Sequence, residues 1–328
     1  MNWLIIKIII FIFLLPFSTA NSEIIGCDNN NLECSPVFSS LVYNSDNGRI
    51  ISETRSENNI YPASLVKLMT VYLVFEAIES GTLSLDDVVA FSKRGEEISK
   101  INKITTLNVL EGDLIKIKDA IRGTIIKSFN EAAIVLAEAV SGNEWSFVRL
   151  MNEKAKDLGM INTSFRNATG LHAEGQYTTA YDLARLARSL KNDFWQYYHY
   201  FSEEEFSFNG KNFITHNHVL REYPGAKGLK TGFTRASGFN LISAAWKNDN
   251  KIVSILANCS SFEDRDQQTK DIFNQSFSKL NDVKKPTLGS KITEGFSYEK
   301  LNPKAIYYES INMKHRIGGG AINAKSHL

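Results

Sequence analysis

Two side chains three positions apart, Ser64 and Lys67, carry the first chemistry this sequence offers. On a helix that spacing puts a hydroxyl and an amine on one face, within hydrogen-bond reach. A serine hydroxyl is a weak nucleophile until a neighbour takes its proton, and a lysine can do so only when burial or nearby cations lower its pKa. The pairing alone is common, and the chain repeats it at Ser276 and Lys279. Two other short segments carry complementary groups: Ser128-Phe129-Asn130, with a hydroxyl and an amide, and Lys230-Thr231-Gly232, with an amine and a hydroxyl.

The stretch from Tyr61 to Gly81 positions the first pair. Pro62 suits a helix's first turn, Gly81 suits the left-handed position just past its end, and apolar residues from Leu65 to Ile78 cover nearly the whole circumference. This pattern predicts a helix buried on all sides that begins within a residue or two of Ser64. Its N-terminus offers unpaired N–H groups and a positive dipole end to an oxyanion.

Upstream, Val37–Tyr43 and Arg49–Ser52 flank the turn residues 44–48 and read as a β-hairpin. From Thr82 to Gly112 the pattern loosens into charged loops and a short extended stretch, where no chemistry is placed. Leu114–Lys127 and Asn130–Val140 have helical composition, with Ser128 at their junction. Ser128 can cap the second helix or project with Asn130 into a cleft, and local grounds favour the cap. Ser141-Gly142-Asn143 reads as a helix stop. Further helices are expected at Phe147–Leu158 and Ala180–Leu190, separated by a long loop over 162–178.

Strands return after Phe206. Lys230-Thr231-Gly232 falls on a strand whose glycines let another backbone approach, as a peptide lying along a sheet edge requires. A phosphate-binding loop is the competing reading, but its spacing before Lys-Thr is absent. Phe239–Trp246 and Ile252–Asn258 form an antiparallel hairpin around residues 247–251. An amphipathic helix over 264–280 turns Ile272, Phe273, Phe277 and Leu280 inward.

Composition narrows the classes. The chain has 328 residues and a formal charge of +1, which gives no electrostatic footprint for nucleic acid. Residues 1–20 read as a signal peptide with small residues before a cleavage point at Ala20, or otherwise as an uncleaved anchor, and either implies export. Membrane contact is expected only if that segment is retained. In an oxidising compartment Cys27 and Cys34 could close a small loop. The six histidines do not cluster with the cysteines, so no metal or other cofactor is expected.

The three motifs stand in the order Ser64-x-x-Lys67, Ser128-x-Asn130, Lys230-Thr231-Gly232. Together with Asn167-Ala-Thr-Gly-Leu171, Tyr177–Asp182 and Lys230–Leu241, the region from about Pro36 to Leu280 resembles the low-molecular-mass penicillin-binding, serine D-Ala-D-Ala carboxypeptidase family, peptidase family S11. The resemblance implies an α/β (α+β) fold of the β-lactamase/transpeptidase type: an antiparallel sheet flanked by helices, with a helical subdomain inserted at about 82–225. Residues 21–35 would then be an N-terminal segment, 36–280 the catalytic domain and 281–328 a C-terminal tail.

The same resemblance implies roles. Ser64 attacks the carbonyl between the last two D-alanines of a peptidoglycan stem peptide, and Lys67 is its base. Ser128 relays the proton to the leaving D-alanine, and Asn130 orients the substrate amide and holds Lys67. Lys230 and Thr231 bind the terminal carboxylate, and Gly232 lets the substrate strand approach. The N–H groups of Ser64 and Phe233 form the oxyanion hole. Arg265 contacts the carboxylate or, read locally within Glu-Asp-Arg-Asp, is a solvated surface arginine. β-Lactams are implied as acylating inhibitors.

Phe129 departs from the family's small residue and is expected to alter the cleft wall, Lys227 stands where the family often has an acidic residue, and His216 and His218 fall in a stretch that often carries asparagine and arginine and are read as packing or surface residues, not catalytic ones. The alternatives are a DD-endopeptidase using the same residues, a serine β-lactamase with Glu174 as the nearest deacylating carboxylate, and a non-catalytic peptidoglycan binder.

Overall fold

The computed structural model describes residues 38–101 and 105–283. The expected signal segment, the Cys27–Cys34 pair and the tail beyond 283 lie outside the described residues. In chain order the elements are β1 (Ser39–Asn44), β2 (Ile50–Thr54), α1 (Lys67–Glu79), β3 (Val88–Ala90), α2 (Lys93–Ile101), β4 (Leu114–Lys116), α3 (Ile117–Arg122), α4 (Asn130–Ser141), α5 (Glu144–Asp157), α6 (Ala180–Asp193), β5 (Glu205–Phe208), β6 (Lys211–Ile214), α7 (His218–Glu222), β7 (Ala226–Thr234), β8 (Gly238–Lys247), β9 (Asn250–Cys259) and α8 (Phe262–Val283).

Five strands make one antiparallel sheet in the order β2-β1-β9-β8-β7. Alternating side chains sort onto its two faces. Leu41, Tyr43, Ile242, Ala244, Val253, Ile255 and Ala257 join the main core with α1, α4, α5 and α6. Val42, Leu241, Ala245 and Ile252 face the other way onto Phe273 and Phe277 of α8, with Ile272 and Leu280 at the edge of that cluster. The inward face expected for the last helix is the observed one. Because both faces are covered, β8 and β9 are buried along most of their length.

The hairpin of β1 and β2 turns through Asn44, whose Oδ1 accepts from the N–H groups of Asp46 and Asn47. The hairpin of β8 and β9 closes through two residues, with Asn248 at φ 54. β7 lies at the sheet's edge, as a peptide-binding strand must.

The stretch after Thr82 differs from expectation. It contains α2 as well as β3, and Leu114–Lys127 divides into β4, α3 and a wide turn over Gly123–Lys127. β4 is drawn into a strand by pairing with β3. Gly142, at φ 80, stops α4 as read, and Asn143 immediately caps α5 by accepting from the Ser146 N–H at 2.8 Å.

Candidate active site

Pro62 leads into a single tight turn, Ala63–Val66, that continues as α1, so Ser64 stands at the front of the buried helix. Ala63 is at φ 48, a left-handed conformation that disfavours side chains bearing Cβ. Three distant segments hold it there. Asn240 on β8, fully buried, donates through Nδ2 to the carbonyls of Tyr61 (3.0 Å) and Pro62 (3.3 Å). Gly232 on β7 approaches so closely that a Cβ would lie 3.1 Å from the Pro62 carbonyl oxygen and 3.3 Å from the Ser64 nitrogen. Gly170, at φ 83, faces the Ala63 carbonyl, and a Cβ there would sit 1.9 Å from its oxygen. Gly170→Ala is therefore expected to lose about 2–4 kcal/mol of stability, from the unfavourable φ plus the overlap. Thermal unfolding checks this, and acylation of the folded fraction reports whether Ser64 has moved.

Lys67 is 1% exposed. Its Nζ lies 3.1 Å from Ser64 Oγ, 2.8 Å from Asn130 Oδ1 and 2.5 Å from the Thr169 carbonyl oxygen. Burial, reinforced by the charge of Lys230 and opposed by Glu131, holds the amine well below the usual lysine range. A neutral amine has two N–H donors and one lone pair. Asn130 Oδ1 and the Thr169 carbonyl can only accept, so they take both N–H groups and leave the lone pair for the Ser64 hydroxyl proton, the only one among the three partners.

The segment 167–171 that supplies the Thr169 carbonyl is organised by Asn167. Its Oδ1 accepts from the Thr169 and Gly170 N–H groups and the Thr169 hydroxyl, and its Nδ2 donates to the Leu171 carbonyl. Thr70 on α1 ties the same segment down through the Ala168 carbonyl at 2.8 Å.

Ser128 does not cap α4. It sits at φ 63 and ψ 29, and its Oγ is buried without a hydrogen bond among the described residues while lining the cleft. A buried hydroxyl left unsatisfied costs about 1–3 kcal/mol, which a ligand in the cleft can recover. The left-handed turn aims Phe129 the opposite way: it is 1% exposed, packed on Phe206 and Phe213, and absent from the cleft wall. The expectation that Phe129 alters the cleft wall is thus overturned. Phe129→Ala is expected to cost about 3–5 kcal/mol of stability, measured by denaturant unfolding, rather than to open the cleft.

The cleft between these parts has a volume of about 530 Å³, and Ser64, Ser128, Asn130, Thr231, Gly232, Phe233 and Arg265 all line it. Lys67 and Lys230 stand behind its wall. Lys230, buried, donates to the Thr231 carbonyl at 3.0 Å, and burial followed by the charge of Arg265 brings its pKa down to about 7. Thr231 lines the cleft and Lys230 does not. Phe233 is half exposed and stacks on Phe239 at 4.3 Å.

Arg265 is no surface arginine. It is 4% exposed and paired with Asp266. His216 lines the cleft as well. Although part of the ring reaches solvent, its partial burial and the charges of Lys127, Lys230, His218 and Arg265 hold it at about 4, so it is neutral under ordinary conditions. Lys227 lies elsewhere, over the Trp246 ring.

The remaining sequence candidates fall away from this site. Glu174 is exposed and does not line the cleft, and Ser276 is buried in α8. Conversely, the stretch assigned no chemistry contributes Thr105 to the cleft wall. The adjoining Thr106 hydroxyl and Leu107 N–H are both held by the buried carboxylate of Glu131.

A helix-tip serine, a buried lysine beneath it and an edge strand closing the cleft are features of the penicillin-binding fold. The structure superposes on penicillin binding protein 5 from Haemophilus influenzae with a TM-score of 0.71 at 27% identity, covering 76% of this chain and 72% of that one. Penicillin-Binding Protein D2 from Listeria monocytogenes, in its ampicillin-bound form, matches with a TM-score of 0.65 at 28% identity, covering 75% and 99%. In sequence, the D-alanyl-D-alanine carboxypeptidase DacF of Bacillus subtilis is 31% identical over 248 residues, 74% of this chain and 62% of the relative. The D-alanyl-D-alanine carboxypeptidase family model, peptidase S11, matches residues 37–261, and the chain belongs to that family. It spans less than two thirds of the length of the curated relatives it matches.

Proposed function

We propose that this chain is a serine DD-carboxypeptidase that removes the terminal D-alanine from peptidoglycan stem peptides, and that β-lactams acylate the same hydroxyl. The observation that carries the reading is the Lys67 contact set: Nζ lies 3.1 Å from Ser64 Oγ, and its other two partners, Asn130 Oδ1 and the Thr169 carbonyl, can only accept, so the amine once neutral turns its lone pair to Ser64. Lys67 takes the Ser64 proton as Oγ attacks the carbonyl carbon of the penultimate residue. The tetrahedral oxyanion forms toward the Ser64 and Phe233 N–H groups. Ser128 passes the proton from Lys67 to the nitrogen of the departing D-alanine as the C–N bond breaks. A water then attacks the acyl carbon, giving its proton to Lys67, which passes it to Ser64 Oγ as the acyl C–Oγ bond breaks, so that the hydroxyl and the neutral amine are both regenerated.

Ser64, Thr231 and Arg265 line one cleft, which supports a reading in which the reacting carbonyl and the terminal carboxylate share a single site. Glu174 is exposed and does not line the cleft, which counts against the β-lactamase alternative. We place the enzyme in the cell envelope of a bacterium, where this substrate is found.

The test is D-alanine release from a pentapeptide ending in D-Ala-D-Ala, alongside labelling by a fluorescent penicillin on a denaturing gel. Release and a stable labelled band are expected. Cleavage confined to a crosslinked dimer would assign the endopeptidase, rapid drug turnover the β-lactamase, and an unlabelled, inactive protein the binder.

A further inference from the structure

Arg265 makes an unusual pairing for a residue that faces a cleft. Its Nε and Nη2 both donate to one oxygen of Asp266, Oδ1, at 2.8 and 2.6 Å, which fixes one edge of the guanidinium and leaves the rest toward the cleft it lines. Asp266 is itself 5% exposed. Its second oxygen, Oδ2, is buried and accepts no well-formed hydrogen bond, yet lies 3.3 Å from His218 Nδ1.

His218, whose side chain is 41% exposed, also lines the cleft and packs edge-on against Phe262, another lining residue. One buried carboxylate thus joins an arginine and a histidine that start from different elements, α8 and α7, and converge on the same end of the cleft. Arg265, Lys230 and Lys127 bring positive charge there, and no Asp or Glu side chain lines the cleft among the described residues.

We propose that Asp266 and His218 are positioning residues that aim Arg265 and so make this end of the cleft select ligands with a free C-terminal carboxylate over the same ligands amidated. Asp266 sets the guanidinium's rotation. His218, held between the Asp266 carboxylate and the Phe262 ring, keeps the carboxylate from turning away. With either partner gone, the guanidinium keeps its charge but loses its orientation, and planar carboxylate recognition depends on orientation. The inference rests on the carboxypeptidase reading for the choice of ligand, not for its measurement.

The test is calorimetric binding in a Ser64→Ala background, which requires no chemistry. The ligands are an N-acylated peptide ending in D-Ala-D-Ala and its C-terminal amide. The parent is expected to prefer the free acid, and that preference should fall about tenfold or more in Asp266→Asn and in His218→Phe, since truncating one partner of a buried hydrogen-bonded charge pair weakens recognition by at least that much. His218→Gln, which retains a donor, should restore most of it.

A role in packing alone would weaken acid and amide together and leave the ratio unchanged, which overturns the proposal, as does a parent that binds both alike. If Asp266→Asn does not fold, the two His218 variants, at a half-exposed position, decide the matter. Failure of penicillin labelling in the unmutated protein would overturn the enzymatic reading and leave this ratio standing.

Discussion

Replacing Ser64 by alanine is expected to abolish the covalent penicillin adduct and to lower D-alanine release by about 10⁴–10⁶-fold, the range for removing an activated nucleophile. The fold should survive the change. Ser64 Oγ shares one hydrogen bond with Lys67 Nζ, but Lys67 keeps its contacts to Asn130 Oδ1 and the Thr169 carbonyl, and the turn at Ala63–Val66 is fixed by Asn240, Gly170 and Gly232 instead of by the hydroxyl. Stability should therefore change by no more than about 1 kcal/mol, the net worth of one ordinary hydrogen bond. A labelled band persisting in Ser64→Ala would point to another nucleophile, and Ser128, whose hydroxyl also faces the cleft, would be the first to examine. The mass of the tryptic peptide carrying the adduct would distinguish them.

What the sequence made legible follows the range over which each signal acts. The Ser64–Lys67 relation is local, set by helical spacing along a stretch that is apolar all round, and it appears where expected. The sheet hairpins are also local and appear where expected, and alternate side chains of β1, β8 and β9 sort onto two faces. α2 escaped because Lys93–Ile101 is mostly polar, contains Gly95 and buries little beyond Ile98, so it has no apolar stripe to read. The local reading of Ser128 as a cap failed because a serine in the left-handed region has no sequence signature and capping is the ordinary role of a serine before a helix, whereas the motif order pointed to the cleft that Ser128 lines.

The Thr169 carbonyl could not be read at all, since every residue has one. Only the fold shows which carbonyl meets Lys67, 102 positions away. Arg265 sits in a run of charged residues that looks solvated, and its burial comes from the placement of α8 across the sheet. Its link to His218 through Asp266 spans two helices and exists only in the folded chain.

Activity toward the free-acid peptide should follow a bell-shaped dependence of kcat/KM on pH, governed by two lysines whose pKa values are both depressed. As the proposed base, Lys67 has to be the neutral amine, so acylation is expected to rise with pH through its lowered pKa and level off above it. In the proposed role Lys230 is a cation whose charge is lost as pH passes about 7, which should weaken the field that attracts the carboxylate and lower kcat/KM on the alkaline side. The two titrations are coupled because the Lys230 charge is one of the causes that depress Lys67. In Lys230→Gln the acid limb should therefore move to higher pH, as burial alone now lowers the Lys67 pKa, and the alkaline limb near 7 should disappear.

Stability carries the same sign. Both lysines bind protons more weakly folded than unfolded, so the penalty for burying them charged is full below their folded pKa values. It diminishes as pH rises toward the unfolded value, for Lys230 from about 7 upward. The sharpest test of the base is Lys67→Arg, which keeps the positive charge and the donors but has no lone pair to offer at any accessible pH. It should lower the acylation rate by about 10²–10⁴-fold, the contribution typical of a general base, and leave no acid limb in what remains. A Lys67→Arg protein that labels at the original rate would show that the Ser64 proton goes elsewhere, and the assignment of Lys67 as base would have to be abandoned.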